Sequence, residues 1–298
     1  MLANPPAPFP SRPPVWATAL VHGSIKNITV FDAAFAAGAA LAALDVVVRK
    51  DSACAGAWRR RLALRAAAAS LQTRAGDEAA LRDALALTRP GGDPGPAGRV
   101  YLAWRALAAA RPPRLADIAV GLGAAPGDLP LLSATLDAHT RSLAPAPLAA
   151  AAAAAAVAAK WPRATRLAFA VADLVLAARL RWRVAVPLVA LEVQRVRAGE
   201  GDWTAVCCAA YARAATRACD LHDELSVAAA RLEAVAPKLR AKGAGAVISA
   251  LLDADAVSGV AKVAGMSDRG LRRLFDRLVE LGAVRELTGR ATFRLYGL

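Results

Sequence analysis

From Phe31 onward, hydrophobic positions recur at three- and four-residue intervals through long runs of alanine and leucine, and β-branched stretches are scarce. That periodicity predicts helix rather than strand. Helices are expected over residues 32–48, 53–74, 77–87, 99–110, 114–122, 129–143, 148–159, 163–183, 203–219 and 221–235. The proline- and glycine-rich stretch 89–98 reads as a non-helical loop and a joint between two subdomains, and Pro187 as a break or kink. Residues 30–236 are therefore expected to form an all-α body.

The pattern changes after Pro237. Val247, Ile248, Leu251 and Leu252 give one helix over 244–254, and Val257, Val260 and Val263 suggest a short second helix stopped by Gly265. Ser267 is placed to cap a third helix, whose buried stripe is Leu271, Leu274, Phe275 and Leu278. Gly282 closes it, and 283–287 and 291–296 alternate as two strands around Thr288, Gly289 and Arg290. Helix, helix, recognition helix and hairpin is the order of a winged helix-turn-helix, expected over residues 237–298. The fold class expected is mainly α: an all-α helical body followed by a C-terminal winged helix-turn-helix with a small β-hairpin.

Charge gives this terminal segment a purpose. The chain of 298 residues carries a formal net charge of +14. From Lys238 onward 11 Lys or Arg stand against 6 Asp or Glu, a local excess of +5. Such an excess suits phosphate neutralisation with counterion release. Arg269, Arg272, Arg273 and Arg277 lie on the outward face of the expected recognition helix, Arg290 at the wing tip, and Lys242 and Lys262 nearby. These seven residues are the expected DNA contacts. A GC-rich genome also raises arginine and alanine, which explains part of the chain-wide excess.

Residues 1–29, with six prolines between Pro5 and Pro14, lack the charged and apolar regions of a secretory signal and read as a disordered arm. The apolar runs 142–159 and 168–178 are too alanine-rich, or too interrupted by charge, to supply the roughly 20 strongly apolar residues of a spanning helix. No membrane partner is expected. Cys54, Cys207, Cys208 and Cys219 form no disulfide framework, consistent with a reducing, cytoplasmic setting.

Catalytic chemistry is sparse. His22, His139 and His222 lie in no known motif, and no serine elbow, phosphate loop or dinucleotide fingerprint is present. Cys219 and His222, one helical turn apart with Asp223 beside them, read as small buried and surface residues rather than a zinc site. Asp77, Glu78, Asp83 and Arg82 read as salt-bridged helix starts. The arginines after Trp58 and around Trp182 read as solvated charges flanking core tryptophans. No enzyme activity, cofactor, metal or small-molecule ligand is expected.

The run Lys242-Gly243-Ala244-Gly245-Ala246-Val247-Ile248 and the ending Ala283 to Arg290 with Phe293 to Leu298 resemble the bacterial domain-of-unknown-function 1403 family. The stretches 58–69, 77–88 and 93–99 resemble it too, so the likeness covers most of the chain. That resemblance implies no assigned activity. The wing is also similar to the winged helix that follows Fic-type domains, whose catalytic histidine motif this sequence lacks. The expectation is a non-enzymatic DNA-binding protein, plausibly a transcriptional regulator on duplex DNA. The alternative is a helical interaction module whose winged helix docks on a protein, and a homodimer fits either.

Overall fold

The structure is a computed structural model that describes residues 12–22, 28–71, 77–89, 91–109, 114–192, 202–239, 241–288 and 293–298. The body is built from α1 (Val15–His22), α2 (Val30–Arg49), α3 (Ala55–Leu71), α4 (Glu78–Ala86), α5 (Gly95–Leu107), α6 (Leu115–Gly121), α7 (Leu129–Thr140), α8 (Ala146–Lys160), α9 (Thr165–Arg179), α10 (Val189–Glu192) and α11 (Trp203–Val235). The C-terminal unit follows as α12 (Ala244–Asp253), β1 (Val257–Ser258), α13 (Asp268–Glu280), β2 (Arg285–Glu286) and β3 (Leu295–Gly297).

Alanine sets the packing. The buried face of α2 is Ala33, Ala36, Ala37, Ala40, Leu41, Ala43, Leu44 and Val47, and it lies along α11, which buries seven alanines between Ala205 and Ala218. Small side chains on both faces allow the two helices to pack closely. The α8–α9 pair is built in the same way. Trp58 and Trp104 fill the wider spaces: the Trp58 indole donates to the Ala218 carbonyl at 2.8 Å.

Several expectations need correction. The stretch 89–98 is not wholly loop, because α5 begins at Gly95 with Pro96 in its first turn, where the missing N–H costs nothing. Helices expected at 203–219 and 221–235 are one helix, α11, since Asp220 between them is no helix breaker. The amino-terminal arm contains α1, whose Trp16 ring lies 6.0 Å from that of Phe35. Residues 1–11 and 23–27 of that arm lie outside the described residues. The expected helix end at Arg183 comes at Arg179, because Arg181 turns left-handed (φ 55°) and swings Trp182 inward to donate to Asp45 at 2.7 Å.

In the C-terminal unit the largest correction concerns Val257, Val260 and Val263, which form no second helix. Val257 and Ser258 are β1, followed by a turn and irregular chain to Ser267. Their valines suit a strand edge better than a helix. β1 pairs antiparallel with β3, and β3 with β2, giving the order β1-β3-β2. The structure is thus mainly helical with one small antiparallel sheet.

Residue 237 sits in a 3-10 turn, Ala236–Lys238, that ends α11. Packing does not break there: one buried cluster runs from Ala33 through the body to Phe275, Tyr296 and Leu298. One helix among the described residues, α2, is long and apolar enough to cross a membrane, where no such segment was expected. Its alanine face is taken up by α11.

Candidate nucleic-acid interface

The expected recognition helix of the C-terminal unit, α13, forms as its sequence requires. Ser267 Oγ accepts from the Gly270 N–H at 3.1 Å, capping α13. At the other end Gly282 (φ 63°) closes a Schellman motif, with Gly282 N–H donating to the Val279 carbonyl and Ala283 N–H to that of Leu278. Leu271, Leu274, Phe275 and Leu278 are buried, as their spacing predicts. The Phe275 ring stacks on Tyr296 with centroids 4.1 Å apart, which fixes the helix against the sheet.

The outer face of α13 is exposed and carries Arg269, Arg272 and Arg273 over its first two turns. Among the described residues none of the three is ion-paired. Arg277, one turn further, is partnered by Glu280 at 3.1 Å, so the free charge is concentrated toward the helix N-terminus. There the helix dipole adds to it. Lys262 is exposed and meets Asp268 at 3.0 Å, and Lys242 lays its aliphatic stem over the left-handed Gly265 in the turn before α13. Lys242 and Lys262 therefore flank the start of the arginine face. Arg290 lies outside the described residues. Two basic residues were not anticipated as site residues: Arg285 on β2, and Arg294 just before β3, whose Nε is 3.8 Å from Glu286.

A second charged cluster holds this unit on the body, and the sequence reading missed it. Asp255, buried just after α12, accepts from Arg61 Nε on α3 and from Arg82 Nε on α4 at 2.6 Å. Burial pushes the Asp255 carboxyl up, but the two guanidiniums outweigh it and hold it below the usual carboxylate range. Arg60 reaches Asp253 at 2.7 Å. At Gly56 the end of α12 touches α3, and a Cβ there would come within 2.7 Å of the Asp253 Cα. Arg61 and Arg82 are thus not solvated charges or local helix-start pairs alone. Their partner lies more than 170 residues away, a pairing with no sequence periodicity to betray it.

The model of the DUF1403 family, described as a protein of unknown function, matches residues 8–298. The chain belongs to the DUF1403 family. No curated protein matches the sequence.

Elsewhere in this DUF1403 chain, several polar and titratable groups are buried. His222 is only 4% exposed, not a surface residue as expected, and its Nε2 lies 3.1 Å from Ser52 Oγ while its ring meets Trp58 edge-on at 6.0 Å. Asp223 Oδ1 is 3.8 Å from His222 Nδ1, beyond hydrogen-bond range, and its other oxygen faces Arg12 at 3.3 Å. Burial lowers the His222 pKa, so the imidazole stays neutral. Serine, histidine and aspartate are adjacent here without the alignment that activates a nucleophile. Asp173, fully buried, accepts from the Leu188 and Val189 N–H groups at the start of α10, and burial raises its pKa to about 8. Cys207, Cys208 and Cys219 are buried with pKa values pushed up, the latter two to about 12, so none is a ready thiolate.

Proposed function

We propose that this DUF1403 protein binds duplex DNA through α13 and acts as a regulator of transcription, its C-terminal unit serving as a winged helix. The observation that carries the reading is the set Arg269, Arg272 and Arg273 on the exposed N-terminal half of α13, none of them ion-paired among the described residues, where a recognition helix meets base edges and phosphates. The order helix, strand, turn, helix and hairpin, with the sheet arranged β1-β3-β2, supports it. Lys242, Lys262 and Arg285 supply further positive charge for the flanking backbone. The segment 259–267 is irregular, so α13 would be positioned by the Phe275–Tyr296 stack and the Asp255 anchor rather than by a preceding helix.

The test is fluorescence anisotropy of a labelled, sequence-random duplex with the full chain at two salt concentrations. Binding that weakens steeply with salt, and that Arg272→Glu/Arg273→Glu removes while the Tm is kept, is the expected result. Full-strength binding by that variant would overturn the assignment to α13.

A second reading, an interaction module, is favoured by one specific feature. The face of α2 not covered by α11 presents Phe31, Phe35, Gly38, Ala42 and Val46 in one uncharged stripe, continued by Val15 and Trp16 on α1. Two copies laid antiparallel about Gly38 and Ala42 would seat the aromatic end of one stripe over the slender end of the other. Sedimentation of the wild type and Phe31→Glu/Phe35→Glu decides it: a dimer converted to monomer supports the reading, and a wild-type monomer at high concentration removes it.

A further inference from the structure

Between the body and the C-terminal unit lies a cleft of about 260 Å³. Its body wall is Arg82 and Leu85 of α4 with Tyr101 and Arg105 of α5, and its other wall runs from Ala254 to Ser258 with Leu295 of β3. The charges here do not balance. Arg60, Arg61, Arg65, Arg82 and Arg105 converge on the seam against Glu78, Asp253 and Asp255, and those three carboxylates are all engaged by Arg60, Arg61, Arg65 and Arg82. Arg105 is left with no carboxylate among the described residues, its guanidinium 5.8 Å above the Tyr101 ring. Tyr101 is 4% exposed, yet its hydroxyl makes no hydrogen bond among the described residues. Burial and the Asp255 charge push that hydroxyl's pKa up to about 12, so it remains a donor at neutral pH. Surplus guanidinium and an unused donor in a half-enclosed site are the features that recognise an oxyanion. Leu85, Ala86, Ala254 and Leu295 make the rest of the lining apolar.

We infer that this cleft binds a small organic anion, with its carboxylate or phosphate head held by Arg105 and the Tyr101 hydroxyl and a compact apolar body against Leu85 and Leu295. Its volume lies just below the usual range of about 300–1,000 Å³ for drug-sized ligands, which suits a small metabolite and excludes a dinucleotide. The two walls belong to different units, so the ligand bridges the seam that Asp255 fastens and stiffens the placement of the C-terminal unit. This site stands whether or not α13 meets DNA.

Calorimetry and thermal unfolding of the full chain with benzoate, phenyl phosphate, inorganic phosphate and phenol test it without any nucleic acid. Saturable one-to-one binding and a raised Tm are expected with benzoate or phenyl phosphate, and whichever binds tighter names the head group. Arg105→Glu should weaken that binding at least about tenfold, the loss expected when a charge-assisted hydrogen bond is replaced by repulsion. Tyr101→Phe, which keeps the ring and removes only the hydroxyl, should weaken it by a smaller factor and serves if the charge reversal does not fold. Equal binding of phenol would overturn the anion requirement, and equal binding of inorganic phosphate the apolar body. No binding of either aromatic anion at millimolar concentration, or full binding by Arg105→Glu, would overturn the site.

Discussion

Arg181 shows how a single residue can shape a helix end against its own preference. A non-glycine residue in the left-handed region costs about 1 kcal/mol, and here that cost lets Trp182 turn inward to Asp45. Replacing Arg181 with glycine should raise stability by about 0.5–1 kcal/mol, read as a higher denaturant midpoint. Asp173 is the converse case, a buried group with an ionisation penalty. Its folded pKa is about 8, against 3.8 for the unfolded carboxyl. Between those values the folded state holds a proton the unfolded state has lost, so this group's contribution to stability declines as pH rises from about 4 to about 8. The steepest decline is about 1.4 kcal/mol per pH unit. Asp173→Asn should abolish that slope, as urea titrations at pH 5 and pH 8 would reveal; an unchanged slope would mean that Asp173 ionises normally. The positions of Ser267, Gly282 and the α13 leucines were legible from sequence because capping and helical spacing are local. The fates of Arg181 and Asp173 were not, since their partners, Trp182 with Asp45 and the α10 amides, belong to other elements.

At the scale of elements, the placement of α13 depends on how α12 meets α3 and α4. Asp255→Ala leaves the buried Arg61 without its carboxylate and Arg82 with Glu78 alone, and breaking one side of a buried ion pair costs about 3–5 kcal/mol. The expected outcome is a large fall in Tm, with weakened anisotropy binding if α13 is the reader. Gly56→Ala should loosen the same seam by steric contact with the Asp253 backbone, with no change of charge. Proteolysis near 237–243 would report both variants. Sequence periodicity found α12 and α13 but assigned the piece between them to helix, because valines at three-residue spacing match a helical stripe and so short a segment offers too few positions to contradict it. Only the pairing of Val257 with Tyr296 decides for strand.

At the scale of the whole molecule, one continuous core predicts one cooperative transition, not a separate melting of the C-terminal unit. Thermal denaturation followed by near-ultraviolet circular dichroism and by far-ultraviolet signal should coincide; two separated transitions would show that the seam is weak. The four cysteines, all buried and unpaired, should react with a thiol reagent only on the timescale of unfolding, so the rate measured by Ellman assay reports global opening.

The sequence by itself determined what local physics governs: helix content, the caps and buried stripe of α13, the basic outer face, and membership of a family legible along most of the chain. Tertiary structure alone decided which charges are free and which are spent. Arg272 and Arg61 are indistinguishable as arginines on helices, but one points outward with no ion pair among the described residues and the other is buried against Asp255, nearly 200 residues on. The reason is physical. Helix periodicity is written within a turn or two of chain, whereas the pairing of charges and the clefts between elements arise only when distant segments share one low-dielectric interior.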